Sequence, residues 1–264
     1  MTHLELMQAH CDACYVQNAA AELVCVNDWV KRAAPAFWLG VTRQGLSWRL
    51  RFDVPAEARA RAERLIGSEP FADGERQRPI HDATYREIFA TQQAVAGPTY
   101  ILPRRAVAVG SQTTPISEAM YREIFATQQE VAGPTYILPR RAVAVGSQTT
   151  PISEANRELL RDGLEAWIPD IPYQQPMVVS LAEGRAVSVC ASVRITPTAH
   201  EAGVETVRDH RRRGHAVAAV RAWAREVEAG GALPLYSTSW DNHASRAVAA
   251  RVGGELFGWE YRVG

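Results

Sequence analysis

Cysteine is scarce in this sequence, long apolar runs are missing, and neither sign of charge is in excess; each shortage closes off a class of protein. Four cysteines in 264 residues are too few for a disulfide scaffold, so a reducing compartment is expected. Cys11 and Cys14 form a C-x-x-C with His3 and His10 nearby. No second ligand pair follows at zinc-finger spacing, so the reading is two thiols on one face of an N-terminal helix, with no metal. Cys25 and Cys190 sit among apolar neighbours, as packing residues do. No stretch approaches the roughly 18 apolar residues that a membrane span needs. The opening MTHLELMQAH lacks the basic-then-apolar layout of a signal peptide. A cytoplasmic protein without membrane contact is expected. Lys plus Arg and Asp plus Glu both total 29, so no global positive field gathers nucleic acid, and any anion binding must be local.

What is present is ample apolar material, 47% of the chain, enough for one large domain or two small ones. The first pattern to emerge is a repeat. The stretch from Tyr85 to Ala119 returns at Tyr121 to Ala155, with Ala94 against Glu130 as the single difference. A solenoid needs about three or more diverging units; two near-identical copies fit an in-frame tandem duplication better. Each copy reads as helix, Gly-Pro break, strand and turn. One copy is expected to fill a place at the start of the core, copy two being preferred, while the other is extruded or exchanged with a second chain in a homodimer.

The chain divides into 1–82, with a helix, a hairpin over Phe37 to Pro55 and a charged helix over Ala56 to Ile66; 83–155, the two copies (83–118 and 119–155); and 156–264. The polar stretch from Gly67 to Pro79 reads as a boundary loop. Ile152 to Trp167 carries apolar residues on roughly one side, which predicts an amphipathic helix. Beyond it, MVVSL and RAVSVCASVRI flank the turn AEG and predict an antiparallel hairpin. A strand over Glu201 to Val207, a helix with Val217, Val220, Ala224 and Val227 on one stripe, the strand ALPLYSTSW, the helix HASRAVAARV and the strand ELFGWEYRV follow. Strand-strand-strand-helix-strand-helix-strand describes an α+β fold, a mostly antiparallel sheet flanked by helices.

Between the third strand and its helix stands DHRRRGHA. A helix N-terminus offers unpaired N–H groups and positive dipole charge, glycine lets an anion approach, and arginine fits phosphate. The segment resembles the pyrophosphate loop of the GNAT superfamily of N-acyltransferases, Arg/Gln-x-x-Gly-x-Gly/Ala, with Arg211, Gly214 and Ala216 in the matching places. EAGVET (Glu201 to Thr206) is similar to that family's fourth strand, and YSTSWDNHASRAVAARVGG to its fifth strand and following helix. The resemblance covers about Met177 to Gly264, extends more loosely back to copy two, and does not take in the N-terminal region.

The resemblance implies transfer of an acetyl group from acetyl-CoA to a primary amine, on a small molecule or a peptide, by direct attack in a ternary complex. It assigns coenzyme A contacts to Val204, Glu205 and Thr206 for the pantetheine arm, to Arg211, Arg212, Arg213, Gly214, His215, Ala216 and Val217 for the pyrophosphate, and to Asn242 and Ser245. Asn242 also suits a helix N-cap. An alkylammonium has a pKa near 10, so a base is useful, and Glu201 and Glu205, of one strand parity, are the candidates. His200 and His210 are weaker ones. The family's usual tyrosine is replaced by Ala249, which leaves Tyr236, Ser239, Asp241, Cys190, Tyr261 or water as proton donor. The alternative is a catalytically weak acyl-CoA sensor or an interaction module. Phe37, Trp38 and Trp48 suit core packing, an acceptor pocket or a dimer contact.

Overall fold

The computed structural model describes residues 1–71, 77–90, 130–139 and 148–264. Helix α1 (His3–Cys14) starts in a capping box, in which Thr2 accepts from the Glu5 amide and Glu5 accepts from the Thr2 amide. Leu6, Met7, His10 and Cys11 form its buried face, the helical spacing of a packed stripe. A small antiparallel pair follows, β1 (Tyr15–Gln17) with β2 (Leu23–Val26). The expected hairpin is β3 (Phe37–Thr42) and β4 (Gly45–Leu50), and the charged helix is α2 (Ala56–Ile66). Then come α3 (Asp82–Phe89), β5 (Glu130–Ile137) and β6 (Thr149–Pro151). The C-terminal part runs β7 (Met177–Ala182), β8 (Arg185–Ile195), β9 (Ala199–Thr206), α4 (His215–Ala229), β10 (Leu233–Ser237), α5 (His243–Val252) and β11 (Glu255–Val263).

Among the described residues, nine strands form one sheet in the order β4-β3-β11-β5-β10-β9-β8-β7-β6. Every neighbouring pair is antiparallel except β9 with β10, so the α+β architecture stands. Strand alternation sorts residues between two faces. On one face Val178, Cys190, Val204 and Tyr236 pack with α4, and Phe37, Leu39 and Tyr261 pack with α2 and α3. On the other face Trp38 and Leu235 pack with α1, and Met177, Val179 and Ala191 with Leu160 and Leu164. Phe37 and Trp38 are thus fully buried core.

Two local expectations give way. Ile152 to Trp167 is not one α-helix but two 3-10 segments, Glu154–Leu160 and Glu165–Asp170. Asp162 and Gly163 between them take left-handed φ angles of 68° and 121°, which break the run although its apolar residues still reach the core. The Gly-Pro pair is also no break. Gly133 and Pro134 lie inside β5, and Pro134 pairs with Trp259 just past the last residue paired to β10, Thr135. A proline is tolerated where one neighbouring strand has ended.

The repeat enters the fold as a composite. Tyr85 to Phe89 of copy one lie in α3, whereas β5 and β6 come from copy two; copy one's strand and copy two's helix fall outside the described residues. Phe89 stacks on Phe37 at 5.4 Å, and Phe37 pairs with Val263, which pairs with Glu130. Strands lie about 4.8 Å apart, so β5 begins about 10 Å from the Phe37 backbone. The four residues Ala126 to Gln129 reach about 17 Å, enough to join Phe89 to Glu130 directly. Deleting residues 90–125 is therefore expected to leave the melting temperature within about 3 °C, since closing a shorter loop is no harder. Loss of the cooperative transition in a circular dichroism melt would contradict the composite.

Candidate active site

The sheet splits in its middle. β9 and β10 are paired only from Leu233 with Ala199 to Leu235 with Glu201. Beyond that point β9 runs on beside β8 to Thr206. The chain after β10 turns to β5, with Thr238 N donating to Pro134 O at 3.3 Å and Trp240 N to Ala132 O at 3.2 Å. Among the described residues, the β9 edge from Ala202 to Thr206 therefore faces a wedge without a neighbouring strand. Alternate backbone groups along such an edge are free to bind an extended ligand.

At the far end of β9 the chain turns through Arg208–His210 into α4. Arg211 Nε donates to Thr206 O at 3.1 Å, which ties the turn to the strand. Arg212 takes φ 61° and Gly214 φ 90°, an arrangement that lets successive amides point to one side. Among the described residues, Gly214 caps α4 with no side-chain bond, and a Cβ there would meet nothing within 4 Å. The first helical bond runs from Ala218 N to Gly214 O, 3.0 Å, so the amides of His215, Ala216 and Val217 carry no intrahelical partner. Arg211, Arg212 and Arg213 are exposed around them. His215 donates to or accepts from Ser180 at 2.9 Å; burial, then His210 and Arg213, lower its pKa, so the imidazole is held neutral. This corner suits a phosphate in charge, in access and in unpaired donors.

The helical face of the wedge is lined by Val204, packed with Tyr236, whose hydroxyl meets Ser245 Oγ at 2.7 Å. Burial first of all pushes Tyr236 up to about 12. Asn242 does act as an N-cap, its Oδ1 accepting from Ser245 N at 3.0 Å. Ala249, in the place of the expected tyrosine, is fully buried. Of the other donor candidates, Cys190 and Tyr261 are also buried in the core. Thr206 Oγ1 is bonded to Ser188.

Glu201, Gly203 and Glu205 share the opposite face; the irregularity in this pair lies in β8, between Ser192 and Arg194, and leaves the β9 alternation intact. Glu205 is exposed and accepts from Trp167 Nε1 at 2.7 Å. Glu201 is only 3% exposed. It accepts from Ser237 Oγ at 3.2 Å and is bonded to His10 Nδ1. His10 Nε2 in turn meets Glu260 at 3.2 Å, and Trp38 Nε1 donates to the same Glu260 oxygen at 2.8 Å. Burial opposes the His10 imidazolium, yet Cys14, Glu201 and Glu260 outweigh it and hold the ring protonated well above the usual range. Burial would likewise raise Glu260, but Arg262, His10 and Trp38 bring it to about 2.

His10, Cys14 and Glu201 also place three metal-capable atoms within 4.8 Å of one another. The Cys14 sulfur lies 3.8 and 4.0 Å from the two ring nitrogens, almost equidistant, and both nitrogens already face carboxylates. The cluster thus satisfies itself by ion pairing. Sequence reasoning placed His10 only beside the cysteines and left out Glu260. In FGWEYRV, Glu260 and Arg262 share the polar parity of β11, which reads as a solvent face until α1 is seen to cover it.

No protein-family model matches the chain, and no curated protein matches it. Several solved structures are similar. An acetyltransferase of the GNAT family from Colwellia psychrerythraea is 12% identical with a TM-score of 0.40, the match covering 51% of this chain and 56% of that one. A GCN5-related N-acetyltransferase from Kribbella flavida is 21% identical with a TM-score of 0.36, covering 50% and 57%. A tandem GNAT protein from the clavulanic acid biosynthesis pathway is 15% identical with a TM-score of 0.32, covering 58% and 60%. The chain spans less than two thirds of each of these structures. Among the described residues no helix is long and apolar enough to cross a membrane.

Proposed function

We propose that this protein is a coenzyme A-dependent N-acyltransferase that moves an acetyl group from acetyl-CoA to a primary amine by direct attack. One observation carries the reading: an open strand edge, Ala202 to Thr206, leads straight into a glycine-capped helix start ringed by Arg211, Arg212 and Arg213. A pantetheine arm is an extended amide chain that pairs with a strand edge, and its pyrophosphate is the doubly charged group that such a corner holds. The open space at Gly214 and the unpartnered amides of His215 to Val217 fit that group.

Acetyl-CoA, when bound, supplies an activated acyl group on a thiol leaving group. The chain's own residues do the rest. Backbone N–H groups around Val204 to Thr206 would offer donors to a thioester carbonyl bound along this edge and stabilise negative charge on its oxygen. The amine enters from the face of Glu205 and Ser237, since α4 and α5 close the other. Glu205, exposed and held by Trp167, accepts a proton at the mouth; Glu201 accepts one through Ser237. Positioning of both reactants contributes much of the rate. The buried Ala249 and the high pKa of Tyr236 favour, as the second reading, an acyl-CoA sensor that binds without turnover.

Acetyl-CoA at 100 times its Kd is expected to stabilise the fold by about 2.7 kcal/mol, visible as a rise in Tm, and to release free thiol when amines are added. Binding without thiol release across an amine panel would select the sensor. No rise in Tm at millimolar acetyl-CoA would refute both. Gly214→Val, which forces a β-branched residue into a left-handed backbone and fills the approach to the amides, is expected to raise the Kd at least tenfold by calorimetry.

A further inference from the structure

Four polar side chains from four elements make one chain of contacts under α1: Ser237 on β10, Glu201 on β9, His10 on α1 and Glu260 on β11. Three of them are buried, with His10 fully enclosed. A buried imidazolium between two carboxylates is maintained only when both partners are present, because each charge alone would face desolvation. The first member, Ser237, is half-buried at the point where β9 and β10 part. The other end is anchored by Arg262, which donates to Tyr15 at 3.3 Å and balances Glu260. The charged groups facing His10 are therefore Glu201 from β9 and Glu260 and Arg262 from β11, with the titratable Cys14 thiol, its pKa raised by burial, beside it on its own helix.

We infer that His10 is a positioning residue for acyl transfer, clamping Glu201 between itself and Ser237 so that the N-terminal helix forms part of the catalytic unit. The inference rests on the acyltransferase reading above. The amine arrives as an ammonium. Its proton passes to Ser237 Oγ as the Ser237 hydroxyl proton passes to Glu201 Oε2, and nothing is oxidised or reduced. The freed lone pair forms the C–N bond while the C–S bond breaks. The second amine proton goes to the departing thiolate, and Glu201 later returns its proton to water. His10 stays protonated throughout; its work is to hold the Glu201 carboxylate in place and aimed at Ser237.

The test has two arms on the full chain. Nitrogen-15 histidine NMR is expected to show both His10 ring nitrogens protonated at pH 8, and Glu260→Gln is expected to lower the His10 titration by at least one pH unit. A neutral His10 at pH 7, or one equivalent of zinc copurifying with the protein, would overturn the clamp whether or not the enzyme is active. In the second arm, His10→Gln, which keeps one donor, is expected to lower kcat for amine-dependent thiol release at least tenfold. Its acetyl-CoA Kd should stay within twofold and the acid limb of its pH profile should move to higher pH. A wild-type kcat and profile in that variant would overturn the inference and leave the acyltransferase standing. If wild-type protein neither binds acetyl-CoA nor releases thiol, the functional reading itself fails, and the NMR arm still decides the clamp. Should His10→Gln fail to fold, Glu260→Gln carries the kinetic measurement, with a kcat loss of about threefold and the same shift of the acid limb expected; an unchanged profile would count against the role.

Discussion

The double variant G97A/G133A is expected to lose about 3 to 5 kcal/mol of stability and to bind acetyl-CoA at least tenfold more weakly. A Cβ on Gly133 would lie 1.6 Å from Thr238 O and 2.6 to 2.7 Å from the next backbone atoms, a clash no rotamer change relieves. The chain after β10 must move away. The two bonds that hold it to β5, from Thr238 and from Trp240, are then lost, at about 1 kcal/mol each, and overpacking adds roughly 1 to 3 kcal/mol. That chain is one wall of the wedge, so ligand affinity falls with stability. Gly97 is changed as well because copy one carries the same glycine, and no exchange between copies can then hide the effect. Gly203→Ala is the control: its Cβ would meet side-chain atoms first, Val193 Cγ1 at 2.2 Å and Trp167 at 3.2 Å, with no backbone atom as close, so the backbone can stay in place while the side chains shift. Its expected cost is about 1 kcal/mol. Urea unfolding read by tryptophan fluorescence measures both, and equal losses would contradict the backbone argument.

Acid is expected to remove on the order of 3 kcal/mol of stability as pH falls from about 4.5 towards 2. The folded pKa of Glu260 lies at about 2, below its unfolded value, so its contribution is complete above the unfolded pKa and disappears as pH drops through the folded one. His10 has the opposite sign. Its folded pKa is raised, so its contribution is complete below about pH 6.5 and fades as pH rises through the folded value. Together they place the greatest stability between about pH 4.5 and 6.5. Glu260→Ala leaves His10 and Arg262 buried with one carboxylate fewer, a change that costs about 3 to 5 kcal/mol, and it should flatten the acid limb. Urea midpoints from pH 2 to 9 test this; an unchanged acid limb in the variant would assign the acid sensitivity to other carboxylates.

The C-terminal elements were legible because their signals are local. α5 and β11 have the bounds of HASRAVAARV and ELFGWEYRV, where helical and alternating periods are written in consecutive residues. The loop at Gly214 was legible for the same reason, since a positive φ at a helix start calls for glycine in the sequence itself. The stretch from Ile152 to Trp167 was not, because its apolar spacing suits either one helix or two short turns, and the left-handed backbone at Asp162 decides between them. The repeat was visible as text, but identical copies have identical propensities. Nothing local could say that α3 would come from one and β5 from the other.

By itself, then, the sequence determined the strand and helix succession from Met177 onward, the glycine-capped helix start behind Arg211, Arg212 and Arg213, and the common parity of Glu201 and Glu205. Only the tertiary structure decided that Glu201 is enclosed while Glu205 is exposed, and that His10 and Glu260, 250 residues apart, share one ion-paired cluster. The physical reason is that burial and pairing of charge depend on which element covers a strand face. α1 lies across β3, β9 and β11, and no residue in those strands announces the helix that covers them.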